Sequence, residues 1–219
     1  SGRAQQFDLK SAAKAAQDEN KRIASLIGIK PAARVTTIKP AGTSSLALGC
    51  SSGIHAWHND YYIRRIRVGK NEAIYDYLAK WHPELVEDEY FRPHDTAVIS
   101  VPQKAPEGSL LRHESSHDLL ERVKWFNENW VQPGHKKGQN SHNISATVSV
   151  KEDEWVEVAA WVYEQFDSIS GISFLPFSEH AYRQAPYQDC TEEEYKETLK
   201  SMPKNVDWAG LSKYESQDY

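Results

Sequence analysis

The sequence predicts an α/β fold in which strands and helices alternate along the chain. Four short runs of β-branched and aliphatic residues are predicted to be strands: 35–38, 96–101, 144–150 and 172–175. Between them, apolar residues recur at helical spacing. Because connections that hold a helix favour parallel pairing through right-handed crossovers, we expect about four parallel strands with crossover helices.

The predicted helices have recognisable ends. Gly28 is a typical C-terminal stop for a helix that begins at Asp8. Ser115 with Asp118 is a loose capping box. Thr191 with Glu194 is a clearer one. The full set of predicted helices covers residues 8–27, 43–48, 71–81, 115–130, 153–166 and 191–199.

The composition indicates a folded protein and excludes some functions. The 219 residues are 39% hydrophobic, with seven Trp and eleven Tyr. A net charge of −5 argues against broad nucleic-acid binding. No apolar run approaches the ~20 residues of a membrane span, and no secretory segment is visible. We therefore expect a cytoplasmic protein that binds neither membranes nor nucleic acid.

The two cysteines, Cys50 and Cys190, form neither a disulfide framework nor a metal pair at their separation. We expect reduced thiols that serve packing. His55 and His58 have a spacing that can bind metal, but no third ligand is suggested, so no metal site is predicted. Arg64, Arg65 and Arg67 alternate with apolar residues over 62–68. We expect the charged face of an edge strand there, and anion steering is the alternative.

The most informative stretch is 36–45, with the sequence Thr-Thr-Ile-Lys-Pro-Ala-Gly-Thr-Ser-Ser. Pro40 ends a strand ladder, and Gly42 permits a tight turn with close backbone approach. Thr43 and Ser44 supply hydroxyls where a helix would begin. Free N–H groups at such a turn, aided by the helix dipole, favour phosphate. The alternative is an ordinary connection with a hydroxyl cap, and the stretch lacks the Gly-Lys-Ser/Thr of a Walker A loop.

The wider sequence resembles the large catalytic chain of ribonucleotide reductase, most closely its adenosylcobalamin-dependent (class II) branch. The stretches that carry the resemblance occur in the same order in that family and span most of the chain: 39–43, 52–55, 61–65, 143–150, 171–177 and 184–187, the last of them before 191–195. One departure is Ala41, where the family usually has Ser.

The resemblance implies a place in a larger fold. The family's catalytic chain is a ten-stranded α/β barrel made of two five-stranded halves, and four strands match its last portion. We therefore expect a partial ribonucleotide reductase-type barrel. Residues 1–30 would be an N-terminal helix leading into it, 31–203 the C-terminal part of the barrel and 204–219 an extension.

The resemblance also implies what this chain lacks. The family's radical reaction needs three cysteines and a glutamate, with one of these cysteines and the glutamate in an Asn-Pro-Cys-x-Glu stretch that is absent here. A C-terminal cysteine pair is absent too. We therefore assign no catalytic residue and expect a split subunit or a fragment that needs a complementary polypeptide. Adenosylcobalamin would be bound mainly by the missing part, and a thioredoxin-type reductant would serve the full enzyme.

The residues that the resemblance assigns to the substrate's phosphates are Pro40, Ala41, Gly42, Thr43, Ser44 and Ser45. Lys39 is a possible electrostatic contributor. The substrate would be a ribonucleoside di- or triphosphate. The alternatives are a stand-alone nucleotide- or phosphate-binding module, an inert half that completes a partner's barrel and, within the family, a class I chain.

Overall fold

The structure, a computed structural model, describes residues 6–138, 140–178 and 182–215. These residues form two compact units. Unit 1 lies within residues 1–57 and 108–178, and unit 2 lies within 58–107 and 179–219. The domain boundaries predicted at residues 30 and 203 do not coincide with the boundaries of these units. They stay a prediction.

Each unit contains both helices and strands. The helices are α1 (Leu9–Ile27), α2 (Ser44–Ala47), α3 (Ala73–Trp81), α4 (Ser116–Phe126), α5 (Trp155–Glu164), α6 (Glu192–Ser201) and α7 (Ser212–Glu215). The strands are β1 (Tyr61–Gly69), β2 (Val86–Asp88), β3 (Thr96–Lys104), β4 (Thr147–Val150), β5 (Ser173–Pro176) and β6 (Tyr187–Asp189). Short 3₁₀ turns cover Pro83–Leu85, Phe166–Ser168 and Trp208–Leu211, and a π-helical turn, Asn127–Val131, extends α4.

Unit 1 contains the parallel pairing that the sequence predicts. Strand β4 pairs in parallel with β5, from Thr147 opposite Ser173 to Val150 opposite Pro176. Ile38 forms a parallel bridge with Ile144, so the chain before the turn lies beside the segment that leads into β4.

Residues 35–38 are extended but form no ladder, which corrects the predicted strand. Their polar groups are taken by other partners. The N–H of Val35 donates to the Gly134 carbonyl over 3.1 Å, and the Thr36 hydroxyl donates to the Trp130 carbonyl over 2.8 Å. The indole N–H of Trp130 donates to the Thr37 carbonyl. The end of the α4 extension therefore anchors this segment where a neighbouring strand would otherwise pair.

The core of unit 1 lies between β4 and the helices α4 and α5. Val148 and Val150 are almost completely buried, and the alternate residues of β4 are exposed. Leu120 on α4 and Trp161 on α5 belong to the same buried cluster. The Ser115–Asp118 capping box that begins α4 is confirmed, with both reciprocal hydrogen bonds present.

Unit 2 is built on an antiparallel sheet with the strand order β2-β3-β1-β6. Strand β1 pairs antiparallel with β3 along its whole length and with β6 at its start. The expectation that 96–101 joins a parallel set is therefore wrong. β1 is also an interior strand rather than the predicted edge, because the short β6 covers its second side.

None of the helices in the described ranges combines the length and the apolar character of a membrane span.

Candidate functional site

The turn at 40–44 exposes a row of free backbone donors. Within the part of the chain that the structure describes, the N–H groups of Ala41, Gly42, Thr43 and Ser44 donate to no acceptor. All four residues are exposed to solvent. Consecutive free N–H groups on a tight turn form a concave donor surface that suits an anion.

Ser45 has a different role from its neighbours. Its side chain is buried, with 4% of the residue exposed. Its N–H donates to the Ala41 carbonyl over 3.3 Å, and its hydroxyl donates to the same oxygen. This pair of bonds closes the turn, so Ser45 shapes the donor row instead of facing a ligand.

The helix after the turn is only four residues long, from Ser44 to Ala47, and the Thr43 side chain makes no capping bond to it. A macrodipole is the sum of aligned peptide dipoles, so a helix of one turn adds little to anion binding. Electrostatic attraction at this site must come mainly from the free amides and from a charged side chain.

Lys39 is that side chain. Its Nζ donates to the Ser145 hydroxyl over 2.6 Å. No carboxylate of the described residues lies within ion-pair distance of this ammonium. Its positive charge is therefore uncompensated at the base of the turn.

The segment before the turn is fixed to the segment before β4. The Ser145 N–H donates to the Ile38 carbonyl over 2.9 Å, and the Thr37 hydroxyl donates to the Asn143 carbonyl over 3.0 Å. Residues 143–150 form one of the stretches that resemble the reductases. The contacts show that this stretch supports the turn.

The loop after the turn folds back against it. Gly53 has a φ of +62°, and a Cβ built on it would lie 3.4 Å from the Pro40 Cα. Two residues later, the His55 ring forms one hydrogen bond through Nδ1 with the Ser52 carbonyl and accepts another at Nε2 from the Thr147 N–H. In the sequence, His55 is considered only for its metal-binding spacing with His58. Its position in the 52–55 stretch that resembles the reductases is the one feature that could have indicated a structural role.

The arginines of β1 are occupied within unit 2. Arg64 donates to the Pro186 carbonyl over 3.0 Å, and its guanidinium lies 4.3 Å from the centre of the Tyr187 ring. Arg65 donates to Gln188 Oε1 over 2.7 Å. Arg67 donates to the Gln184 carbonyl over 3.2 Å and also lies 3.3 Å from Glu89 Oε1. These contacts hold the 184–188 segment to β1, so the arginines are neither a solvated edge nor a free anion site.

The two cysteines are free thiols in different environments. Cys50 is exposed, so the expectation that it serves packing is wrong. Burial raises the pKa of the Cys190 thiol, and the carboxylates of Glu194 and Asp189 raise it further. A raised thiol pKa opposes the activation that redox chemistry needs.

No three His, Cys, Asp or Glu side chains of the described ranges are grouped as metal ligands. Unit 1 contains a polar cavity of about 400 Å³, lined by Asn127, Glu128, Gln132, Gly138, Glu164, Gln165, Asp167 and Ser168. This is the size of a small-ligand pocket. Nothing in this lining identifies a site for adenosylcobalamin, and we derive no step through that cofactor.

The fold is that of part of a class II ribonucleotide reductase. A crystal structure of a B-12 dependent (class II) ribonucleotide reductase superposes with a TM-score of 0.74, covering 95% of this chain and 28% of that chain at 20% identity. The predicted fold class, a partial barrel of this type, is thereby confirmed.

The related sequences are reductases of the same type. An adenosylcobalamin-dependent ribonucleoside-triphosphate reductase of Euglena gracilis is 28% identical over 193 residues, which is 84% of this chain and 24% of that protein. A probable reductase of this description from Dictyostelium discoideum is also 28% identical, over 200 residues, covering 85% of this chain and 24% of that protein. The corresponding protein of Lactobacillus helveticus is 22% identical over 180 residues, covering 82% and 23%.

These relatives confirm the resemblance seen in the sequence. The chain spans about a quarter of the length of the curated relatives it matches. No family model matches the chain.

Proposed function

We propose that this chain holds the phosphates of a ribonucleotide substrate in an adenosylcobalamin-dependent ribonucleotide reductase. The observation that carries the proposal is the row of four free N–H groups at 41–44, with the uncompensated charge of Lys39 beside it. Three of its four residues, Ala41, Gly42 and Thr43, lie within the stretch 39–43 that resembles the reductases. The names of the relatives favour a ribonucleoside triphosphate as the substrate.

Within the turn, each residue has its own part. The amides of Gly42, Thr43 and Ser44 would donate to phosphate oxygens, with the exposed hydroxyls of Thr43 and Ser44 as further donors. Pro40 and Ser45 would fix the shape of the turn. Ala41 contributes its N–H but lacks the hydroxyl that the family usually has at this position, which costs on the order of 1 kcal/mol of affinity.

The chemical step would need residues from another polypeptide segment. Reduction removes the ribose 2′-hydroxyl as water while two thiols are oxidised to a disulfide, and a third cysteine carries the radical. This sequence has only two cysteines, and they are not joined to each other. We propose that a complementary segment supplies the cysteines, the glutamate and the adenosylcobalamin site, that a thioredoxin-type protein restores the thiols, and that the enzyme acts in the cytoplasm.

A titration followed by ¹⁵N-resolved NMR tests phosphate binding directly. Cytidine triphosphate should shift the amide resonances of Gly42, Thr43 and Ser44, and cytidine without phosphates should leave them unchanged. The matched comparison separates phosphate recognition from recognition of the base or the ribose. Equal shifts with both compounds, or shifts confined to unit 2, would refute the phosphate assignment.

Reconstitution tests the catalytic part of the proposal. The chain is mixed with a polypeptide that carries the upstream Asn-Pro-Cys-x-Glu segment, and deoxyribonucleotide formation is measured with adenosylcobalamin and a dithiol. Activity that requires both polypeptides supports the proposal. Phosphate binding by this chain without activity in any mixture would instead favour the stand-alone binding module.

A further inference from the structure

His55 uses both ring nitrogens to connect two distant segments of unit 1. Its Nε2 accepts a hydrogen bond from the Thr147 N–H over 3.0 Å. A neutral imidazole has one donor and one acceptor nitrogen, so the proton resides on Nδ1. Nδ1 then donates to the Ser52 carbonyl over 2.8 Å. The two hydrogen bonds together fix one tautomer and one orientation of the ring, and the side chain is half-buried.

Hydrogen bonds close the loop that contains His55 and attach it to the rest of unit 1. The Ser52 carbonyl also accepts the backbone N–H of His55 over 3.2 Å, which makes 52–55 a closed turn. The Ile54 carbonyl accepts from Arg122 Nη1 over 2.9 Å, and Ile54 is buried in the core. The loop is thus attached to α4 by Arg122 and to β4 by His55.

The outer part of this loop packs against the phosphate turn. Gly53, which directly precedes both attachment points, lies against Pro40, the first residue of the turn. The other end of the turn is joined to the residues just before this loop, since the Cys50 N–H donates to the Ser45 carbonyl over 3.0 Å. Movement of 52–55 would therefore release Pro40 and change the directions of the free amides.

We infer that His55 is a positioning residue for the phosphate turn, holding Gly53 against Pro40 so that the 41–44 amides stay aligned. The inference rests on the proposed function for its biological meaning, but the mechanical link can be tested without a ligand. His55 does not touch the phosphate. It acts through Ser52, Gly53 and Pro40.

The test compares His55→Phe with His55→Gln. Phe keeps an aromatic ring, somewhat larger than imidazole, and removes both hydrogen bonds. Gln keeps an acceptor for the Thr147 N–H. The control is His117→Phe, because His117 is an exposed histidine on α4 of the same unit, with 61% of its side chain exposed. For each variant, the ligand-free amide spectrum of 41–44 and the affinity for inorganic pyrophosphate are measured.

We expect His55→Phe to move the 41–44 amide resonances without ligand and to weaken pyrophosphate binding about tenfold, the equivalent of one lost hydrogen bond. His55→Gln should recover most of the affinity, and His117→Phe should change neither quantity. Unmoved 41–44 resonances in His55→Phe would overturn the inference, even if the variant unfolds more easily. If the unaltered chain fails to bind pyrophosphate, the proposed function fails, and the ligand-free spectra still decide the role of His55.

Discussion

Gly134 lies directly against the side chain of Thr36, and a Cβ built on Gly134 would lie 2.7 Å from the Thr36 Cβ. Thr36 has 2% of its surface exposed, and its hydroxyl is bonded to the Trp130 carbonyl. Moving the Thr36 side chain aside would therefore break this hydrogen bond in a buried site. Because the segment from Thr36 leads into the 40–44 turn, this close approach fixes the base of the turn.

We predict that Gly134→Ala destabilises the chain by about 2 kcal/mol, since the added methyl group overpacks a buried site. Urea unfolding measures the change. Gly171→Ala is the matched control, because a Cβ there meets nothing within 4 Å and its φ is not left-handed. Equal stability of the two variants would contradict the close approach of Gly134 and Thr36.

Lys39→Met should weaken the binding of a nucleoside triphosphate by about 1 kcal/mol at low salt, because it removes the uncompensated charge beside the turn. The loss should shrink as salt is added, since exposed charges are screened. Isothermal titration at two ionic strengths measures both effects.

Ser145→Ala is the control for Lys39→Met. It removes the hydrogen-bond partner of Lys39 and retains the charge, so its effect on affinity should be smaller. A larger loss in Ser145→Ala than in Lys39→Met would show that the hydrogen bond matters more than the charge.

Glu89 makes the stability of unit 2 dependent on pH. Burial raises the pKa of Glu89, but hydrogen bonds from the N–H groups of Arg92 and Phe91 and the guanidinium of Arg67 outweigh it, so the pKa is lowered overall. A lowered folded-state pKa stabilises the fold above the unfolded value, about 4.3. That contribution is lost as the pH falls further, through the folded-state pKa.

Urea unfolding of the unaltered chain and of Glu89→Gln between about pH 6 and pH 3 measures this contribution. We expect the variant to be less stable at pH 6 and the difference to shrink on acidification, because only the unaltered chain loses a carboxylate. A difference that grows as the pH falls would contradict the assigned direction.

The two thiols should differ in reactivity. Cys50 is exposed, and the pKa of Cys190 is raised by burial and by its neighbouring carboxylates. The thiolate is the reactive form, so iodoacetamide at pH 8 should modify Cys50 first. Mass spectrometry of the partly modified chain gives the order, and equal or faster modification of Cys190 would contradict it.

The sequence predicts local features of the fold well. The end of α1 at Gly28 is confirmed, with a left-handed φ of 73°, and so is the Thr191–Glu194 capping box of α6. These features depend on residues close together in the chain. Strand pairing depends on residues that are distant in the sequence. Periodicity therefore could not predict that β1 pairs antiparallel with β3.

The same distinction applies to the candidate site. The turn at 40–45 is contiguous, so its residues are visible in the sequence. Its supports are not. His55 contacts Thr147, 92 positions away, and Gly134 contacts Thr36 from the turn that follows the π-helical extension of α4. Neither partner could be inferred from residue type or spacing.

Comparing the nucleoside triphosphate affinity of Gly42→Val with that of Gly171→Val tests most directly whether the turn binds phosphate. A Cβ at either glycine meets nothing within 4 Å, and neither has a left-handed φ, so both variants should fold normally. We expect only Gly42→Val to lose binding, because its branched side chain blocks phosphate from the free amides. Unchanged affinity in Gly42→Val would contradict phosphate binding at this turn.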